Sequence, residues 1–153
     1  MNLTFRVASE VDADVITELN CRLAEETEGK RLDQQTVRAG VRTGLQLSPE
    51  VRYFVAECDG QIVGQLMVTR EWSDWRNGWM IWLQSVYVVD QFRRCGVFRT
   101  LYHYAIETIR NETAVACVRL YVEHANEAAK FCYKSLGFQS AGYEVLEIDF
   151  TKA

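Results

Sequence analysis

The chain has 153 residues, and its 17 lysines and arginines against 21 aspartates and glutamates give a net charge of −4 at pH 7. Apolar residues make up 48% and charged residues 25%, with a single proline, which indicates one folded globular domain over residues 1–153 and excludes a disordered or fibrous chain. The net acidic charge argues against a protein whose main task is to bind nucleic acid.

The cysteine spacing, the number of histidines and the length of the apolar runs indicate the cellular compartment and limit the possible cofactors. Residues 1–17 contain three carboxylates and lack the basic start of a signal peptide, and no apolar run reaches the length of a membrane span. The five cysteines include no C-x-x-C pair and there are only two histidines, so we predict neither a disulfide framework nor a metal site. We therefore expect a cytoplasmic protein with no membrane partner.

Hydrophobic periodicity predicts five elements in the first half of the chain. Ser9 and Asp33 have the chemistry of helix N-caps, and Pro49 ends the second helix. The link Asp59-Gly60 is typical of a type I′ hairpin turn, which needs positive φ at both positions. In chain order the elements are strand 3–7, the helices that begin after Ser9 and Asp33, and strands 53–58 and 61–68.

Strands alternate with helices in the second half. Residues 79–89 are nearly all apolar or aromatic, which is typical of a central strand buried on both faces. The elements that follow are helix 96–110, strand 115–123, helix 127–136 and a last strand 143–150. Together the elements predict an α/β fold of three layers (α+β), in which helices cover both faces of a mixed sheet.

A strand, a basic loop and a helix start follow one another at residues 83–99. The loop contains Arg93, Arg94 and Gly96. A helix N-terminus attracts anions through its unpaired N–H groups and its dipole, and a glycine lets a phosphate approach the backbone. A solvated turn of the same composition is the alternative. Neither a Walker sequence nor a G-x-G-x-x-G is present, which disfavours nucleoside triphosphates and dinucleotides.

At this loop the sequence resembles the GNAT (GCN5-related N-acetyltransferase) family. The family's pyrophosphate loop follows (Gln/Arg)-x-x-Gly-x-(Gly/Ala), which residues 93–98 (RRCGVF) match except at Phe98, where a small residue is usual. Residues 126–138 (NEAAKFCYKSLGF) match the family's Asn-x-x-Ala-x-x-x-Tyr-x-x-x-Gly-Phe helix at every marked position. The resemblance covers nearly the whole chain and implies an acyl-CoA N-acyltransferase-like fold, mostly antiparallel with a splayed parallel strand pair.

The resemblance implies transfer of an acetyl group from acetyl-CoA to an amine, without a metal. Backbone groups of Val86 and Val88 would hold the pantetheine and the thioester carbonyl, and Asn126 would contact the cofactor, cap its helix, or do both. The loop would bind the pyrophosphate through its backbone amides and its arginines. The residues of that loop are Arg93, Arg94, Cys95, Gly96, Val97, Phe98 and Arg99.

Two residues are the main candidates for proton transfer. Tyr133 stands at the position of the family's usual general acid and would protonate the departing thiolate; the alternative is a core aromatic residue. Glu123 ends the predicted strand beside the cleft and could take the amine proton, directly or through a water; the alternative is a solvated carboxylate. Glu57 and Glu71 are weaker candidates for the base.

The acceptor is the least constrained part of the reaction. Carboxylates near tryptophans suit a cationic amine through ion pairing and cation–π contact, although an acidic solvated helix end is the alternative. The candidate acceptor residues are Glu26, Glu28, Glu71, Trp72 and Gln84. Polyamines, amino compounds, aminoglycosides and peptide lysines stay open. So do a non-catalytic acyl-CoA-binding or regulatory module on the same fold and a homodimer formed through exposed tryptophans.

Overall fold

A five-stranded mixed sheet forms the centre of the computed structural model, which describes residues 2–152. Its strands lie in the order β1-β2-β3-β4-β5, and neighbours are antiparallel except for the parallel pair β4–β5. The elements are β1 (Leu3–Val7), α1 (Ala13–Glu28), α2 (Gln34–Leu45), β2 (Val51–Cys58), β3 (Gln61–Ser73), β4 (Gly78–Val88), α3 (Val97–Arg110), β5 (Val115–Leu120) and α4 (Glu127–Ser135), with 3₁₀ turns at Glu10–Asp12 and Asp90–Phe92. The predicted mixed, mostly antiparallel sheet with helices on both faces is confirmed.

Local signals in the sequence set the boundaries of the early elements. Asp33 caps α2, because its carboxylate accepts a hydrogen bond from the Thr36 N–H at 3.2 Å. Asp59 and Gly60 have φ values of 52° and 80°, which a type I′ turn requires. The predicted helix start and the predicted hairpin are therefore confirmed.

Two hydrophobic cores lie on opposite faces of the sheet. On the α3 face, Phe54, Leu66 and Leu101 are fully buried between the sheet and α3. On the α1 face, residues such as Ile16 and Val55 are buried between the sheet and the pair α1–α2. Burial of apolar surface is the main favourable term in folding, so both cores stabilise the sheet that carries the site.

Strand β4 has buried residues on both of its faces. Ile81 and Leu83 face α3 and are 2% exposed. Neighbouring residues of a strand point to opposite faces, so Trp82 and Gln84 lie on the α1 face, where they are half-buried. On the same face Met80 and Tyr87 are buried, at 7% and 6% exposed, so the strand has buried residues on both faces, as predicted, and Trp82 and Gln84 are its more open positions.

The last third of the chain differs from the prediction. Strand β5 ends at Leu120, three residues before Glu123, and no residue of α4 is buried. Residues 143–150, predicted as a last strand, pair with no strand within residues 2–152. The alternating pattern indicates strand propensity but does not specify a neighbour, which explains why the pattern is present without the pairing.

None of the helices within residues 2–152 has the length and apolar content needed to cross a membrane.

Candidate active site

Strands β4 and β5 pair only along the first half of β4. Their register stops where Leu83 lies opposite Leu120, whereas β4 stays paired with β3 as far as Val88. Residues 84–88 therefore have a strand neighbour on one edge only. We call the gap between residues 84–88 and the loop 121–126 the splay cleft.

A β-bulge begins the half of β4 that lines the splay cleft. The register between β3 and β4 shifts between Gln65 and Met67, so that Ser85 and Val86 both lie opposite Leu66. Ser85 has a φ of 52°, which is unusual for a residue other than glycine. A bulge bends its strand and increases the local twist, which accounts for the divergence of β4 from β5.

A buried glutamine holds the bulge in place. Gln65 has no exposed surface, and its Nε2 donates to the Ser85 carbonyl at 3.0 Å and to Asn20 Oδ1 on α1 at 3.2 Å. Its Oε1 has no partner within the described chain. Sequence reasoning missed this residue, because a polar residue in a strand pattern usually indicates an exposed position.

The open edge of β4 presents backbone groups to the splay cleft. The Val89 N–H donates to the carbonyl of Val63 on β3. The backbone groups of successive residues point to alternate edges of an antiparallel strand. The groups of Val86 and Val88 therefore point away from β3 and into the cleft. These are the two residues predicted to hold the pantetheine and the thioester carbonyl.

Arg93 is held by several contacts within the protein. Its Nε donates to the Val88 carbonyl at 2.8 Å, and its terminal nitrogens contact Asp90 at 3.3 Å and Glu26 on α1 at 3.2 Å. The guanidinium also lies 5.2 Å from the centre of the Tyr87 ring. Arg93 thus ties the loop to β4 and to α1, and a direct contact with a phosphate would require these bonds to break.

The rest of the loop leaves the start of α3 open. Gly96 is the N-cap residue of α3 with a φ of 77°, and a Cβ added there would meet no atom within 4 Å. Arg94 and Cys95 are exposed beside it. The Val97 side chain packs into the core close to Gly64, so only its backbone faces the loop.

Phe98 packs between α3 and α4 rather than into the loop. Its ring centre is 5.7 Å from that of Tyr133, edge to face, and 6.1 Å from that of Tyr102. Phe138 lies 5.9 Å from Tyr133 on another side. Nearby, the Arg99 guanidinium donates to the Ser135 hydroxyl of α4 at 3.2 Å. The departure from the family motif therefore builds an aromatic contact to Tyr133.

The environment of Tyr133 keeps its phenol protonated. Burial raises the pKa of Tyr133 to about 12, and the neighbouring Cys132 thiol adds a smaller effect in the same direction. Asn126 positions the helix that carries it, because Asn126 Oδ1 accepts the Ala129 N–H at 3.1 Å as the N-cap of α4. The capping role predicted for Asn126 is confirmed.

The two carboxylates considered as bases differ in position. Glu123 lies in the loop beside the splay cleft, exposed, and its Oε2 accepts the Ala125 N–H at 2.7 Å. It is not at a strand end, as predicted, because β5 stops at Leu120. Glu57 lies on β2 and accepts from Arg6 at 2.6 Å, two strands away from β4.

The predicted acceptor residues divide between the two faces of the sheet. Glu71 and Gln84 lie on the α1 face, whereas Trp72 lies on the α3 face, with its ring centre 5.0 Å from that of Trp79. Consecutive strand residues point to opposite faces. Glu71 and Trp72, both predicted to bind the acceptor, therefore face opposite sides of the sheet.

A different tryptophan lies beside Glu71. Trp82 Nε1 donates to Glu71 Oε1 at 2.8 Å, and the Trp82 ring stacks on Tyr121 with centres 4.6 Å apart. Gln84 follows on the same face of β4, at the start of the splay cleft. We call Glu71, Trp82, Gln84 and Tyr121 the acceptor patch. Trp82 and Tyr121 were missed because both were assigned to strands, and that of Trp82 was predicted to be buried on both faces.

The carboxylates at the end of α1 have partners of their own. The Tyr87 hydroxyl, and then Arg93, lower the pKa of the Glu26 carboxyl by binding its charged form. Glu28 lies 3.2 Å from the Lys30 ammonium. The negative charge of Glu26 is therefore used to hold the loop through Arg93.

A family profile and a curated protein show which known proteins this chain is similar to. The sequence profile of the Acetyltransferase (GNAT) family matches residues 16–138. An N-alpha-acetyltransferase of Sulfurisphaera tokodaii is 30% identical over 99 residues, which make up 59% of this chain and 58% of that protein. The match thus spans little more than half of this curated relative.

Solved structures match over nearly the full length. A possible acetyltransferase from Clostridium difficile 630 has 38% identity and a TM-score of 0.88, covering 97% of this chain and 98% of that one. A predicted acetyltransferase from Clostridium acetobutylicum, solved with acetyl-CoA, has 16% identity and a TM-score of 0.77 over 98% and 97% of the two chains, and shows the fold alone. Since the family profile covers most of the sequence, the chain belongs to the GNAT family of acetyltransferases.

Proposed function

We propose that this protein transfers an acetyl group from acetyl-CoA to a small cationic primary amine by direct attack. The splay cleft is the observation that carries the proposal. It exposes backbone groups of an interior strand, opens at one end onto the start of α3, and begins at the other end beside the acceptor patch. Donor and acceptor can therefore meet at the bulge.

The residues of the cleft fit acetyl-CoA. Its pantetheine arm contains two amide groups, which match the backbone groups of Val86 and the N–H of Val88 on the open edge of β4, the Val88 carbonyl being bound by Arg93. Its pyrophosphate is anionic, and the open helix start at Gly96 with the exposed Arg94 offers N–H groups and positive charge. The thioester supplies the activated acyl carbon. Arg93 contributes by holding the loop against β4.

Proton transfer is assigned to two residues. The phenol of Tyr133, with a pKa of about 12, is protonated at neutral pH and can donate to a departing thiolate, whose own pKa is about 8.5. The Val86 N–H, next to the bulge, can donate to the developing oxyanion. Glu123 borders the cleft and is proposed to remove the amine proton through a water.

The acceptor patch favours a positively charged amine. Glu71 carries a carboxylate whose partner is a neutral indole N–H, and the stacked rings of Trp82 and Tyr121 provide faces for cation–π contact. A peptide α-amine is the second candidate, because the relative from Sulfurisphaera tokodaii is named an N-alpha-acetyltransferase.

A panel of amines assayed with acetyl-CoA tests the reaction. Polyamines, aminoglycosides, lysine peptides and peptides with a free N-terminus are incubated with the protein, and acetylated products are detected by mass spectrometry. We expect at least one cationic amine to be acetylated. Binding of acetyl-CoA without acetylation of any amine would instead support a non-catalytic acyl-CoA-binding module.

Substitution of Gly96 tests the donor site. The φ of 77° strains any side chain, so Gly96→Ala measures the effect of strain and Gly96→Glu adds a charge where the pyrophosphate is placed. By calorimetry we expect the glutamate variant to lose about 100-fold or more in acetyl-CoA affinity relative to the alanine variant. Equal affinities in two folded variants would overturn the assignment.

A further inference from the structure

Arg119 carries a positive charge that has no partner within residues 2–152. It lies opposite Trp82 in the register between β5 and β4, on the α1 face, and it is half-buried. Its guanidinium contacts two aromatic rings but forms neither an ion pair nor a hydrogen bond within those residues. Glu123, the carboxylate nearest to it in sequence, instead accepts the Ala125 N–H at 2.7 Å. Buried charges are normally paired, so Arg119 is a candidate for binding an anionic group from outside the chain.

Two aromatic rings hold the Arg119 guanidinium in place. Its central carbon lies 5.9 Å from the centre of the Trp82 ring and 5.3 Å from the centre of the Tyr143 ring. The five N–H donors of a guanidinium lie in its plane, and contacts with aromatic faces leave them available. The rings therefore position Arg119 while its donors keep the two-pronged geometry that binds a carboxylate.

Glu71, on the other side of Trp82, is a second charge without a charged partner. Its Oε1 accepts the neutral Trp82 N–H at 2.8 Å, and the carboxylate forms no ion pair in the part of the chain that the structure describes. Strand β4 lies between β3 and β5. Neighbouring strands are about 4.8 Å apart, so the backbones that carry Glu71 and Arg119 are about 10 Å apart. Two opposite charges thus lie beside one indole ring without pairing with each other.

The two charges fit the head group of an amino acid. A charge-assisted hydrogen bond is about 2.8 Å long, so one such bond at each end takes up about half of the span of about 10 Å. The rest of the span accommodates an ammonium and a carboxylate that are attached to one carbon atom. A ligand of this kind would compensate both charges at once.

We propose that the acceptor is a free amino acid with an amine at the end of its side chain. Glu71 binds its α-ammonium, Arg119 binds its carboxylate, and the side-chain amine is the group that is acetylated. Ser85, in the bulge, lies three residues after Trp82, which is about 10 Å along a strand. A side chain as long as that of lysine or ornithine spans most of this distance, whereas an α-amine held between the two charges does not. The inference rests on the proposed function, since it names the substrate class of the same site.

Matched ligands with and without a carboxylate test the proposal. The affinities of lysine and ornithine, and of their carboxamides, are measured by calorimetry on the protein with CoA, which has no acetyl group to transfer. We expect at least one of the two amino acids to bind about tenfold or more tighter than its amide, the usual contribution of a hydrogen bond to a charged group. Equal affinities of acid and amide in both pairs would overturn the proposal.

Variants of Arg119 identify the group that causes the preference for the acid. Arg119→Gln should remove the preference and leave the affinity for the amide unchanged. Arg110→Gln, at an exposed position of α3 on the opposite face, removes the same charge and should retain the preference. A preference that persists in Arg119→Gln would overturn the assignment, and so would an equal loss of acid and amide binding, because Arg119 would then only support the Trp82 ring.

Arg119→Lys decides the outcome if Arg119→Gln does not fold. Lysine keeps the charge but not the two-pronged contact, so the preference for the acid should fall without disappearing. An unchanged preference in this variant would count against a direct contact between Arg119 and the carboxylate.

Analysis of the product separates the amino-acid acceptor from the proposed function. With acetyl-CoA, fragmentation in the mass spectrometer should place the acetyl group on the side-chain nitrogen, and an acetyl group on the α-nitrogen would contradict the proposal. Acetylation of amines without any preference for a carboxylate would refute the amino-acid acceptor and keep the proposed function. Binding of the amino acid that depends on Arg119, without acetylation of any amine, would refute the proposed function and keep the head-group site.

Discussion

The first half of β4, up to Leu83, is paired on both edges, whereas residues 84–88 are paired with β3 alone. Backbone N–H and C=O groups inside a sheet are normally all paired, so an interior strand with an open edge needs a specific cause. Here the cause is one extra residue, at Ser85 and Val86, that bends the strand away from β5. A single inserted residue thus separates a half that is paired on both edges from a half with an open edge, where we propose that the cofactor binds.

The contacts that hold the two halves also differ. The first half is held by buried apolar side chains, such as Ile81 and Leu83. The second half is held by polar contacts to its carbonyls, from Gln65 to Ser85 and from Arg93 to Val88. Apolar burial has no direction, but hydrogen bonds do. Changes in the first half should therefore reduce stability, and changes in the second half should reduce activity.

The largest effect is expected when the hydroxyl of the proposed proton donor, Tyr133, is removed. Tyr133→Phe takes away only the hydroxyl and keeps the contacts with Phe98 and Phe138. We expect kcat to fall by roughly 10²- to 10⁴-fold, the usual contribution of a positioned acid, while acetyl-CoA affinity measured by calorimetry changes little.

Tyr102 provides the matched control for this substitution. It belongs to the same aromatic cluster and is in contact with Phe98, so Tyr102→Phe should leave kcat within about threefold, less than about 1 kcal/mol. If Tyr133→Phe also stays within that range, Tyr133 is a packing residue and the thiolate takes its proton from solvent.

The pH dependence of the reaction should follow the amine rather than Tyr133. A pKa raised to about 12 keeps the phenol in its protonated, donating form throughout the neutral and moderately alkaline range. Below the pKa of the free amine, kcat/KM should rise about tenfold per pH unit as the amine loses its proton. A rate profile that falls between about pH 7 and 10 in wild type, and no longer falls in Tyr133→Phe, would contradict this assignment.

A smaller effect is expected from the glutamine that holds the bulge. Gln65→Leu leaves the Ser85 carbonyl without its buried donor, which should lower the free energy of unfolding by about 1–3 kcal/mol. Because the bulge positions the open edge of β4, kcat/KM should also fall, by about 10- to 100-fold for a displacement near 1 Å.

Ile81→Val, in the first half of β4, is the control that separates the loss of stability from the loss of activity expected for Gln65→Leu. Ile81 is 2% exposed in the core on the α3 face, and the change should cost about 0.5–1.5 kcal/mol of stability without altering kcat/KM of the folded enzyme. Chemical denaturation and steady-state kinetics on both variants make the comparison. Equal losses of activity in the two would show that the bulge has no special role.

Much of the fold could be predicted because its signals are local. The Asp33 cap and the Asp59-Gly60 turn depend on a few adjacent residues, and both are found. The sequence could not show that residues 143–150 pair with no strand within residues 2–152, because pairing depends on which edge is free in the assembled sheet. Alternation within a segment carries no information about its neighbour.

Positions that belong to a sequence motif could be predicted, whereas positions that depend on the register between β3 and β4 could not. Gly96 at the start of α3 and Asn126 at the start of α4 lie where the motifs place them. The roles of Gln65 and Trp82 depend on the alignment of β3 with β4, which includes a bulge. One residue of register exchanges the two faces of a strand, so the sequence alone did not show that Glu71 and Trp72 lie on opposite faces of the sheet.

The smallest effect is expected at the acceptor patch. Glu71→Gln keeps an acceptor for the Trp82 indole N–H but removes the negative charge, so KM for a cationic amine should rise by no more than about fivefold, the worth of an exposed ion pair. The effect should shrink at high salt, since exposed charges are screened, and KM for acetyl-CoA should not change. Glu28→Gln is the matched control, because that carboxylate is paired with Lys30 and should leave KM unaltered. A larger rise in Glu28→Gln than in Glu71→Gln would place the acceptor beside α1 instead of on the open face of β4.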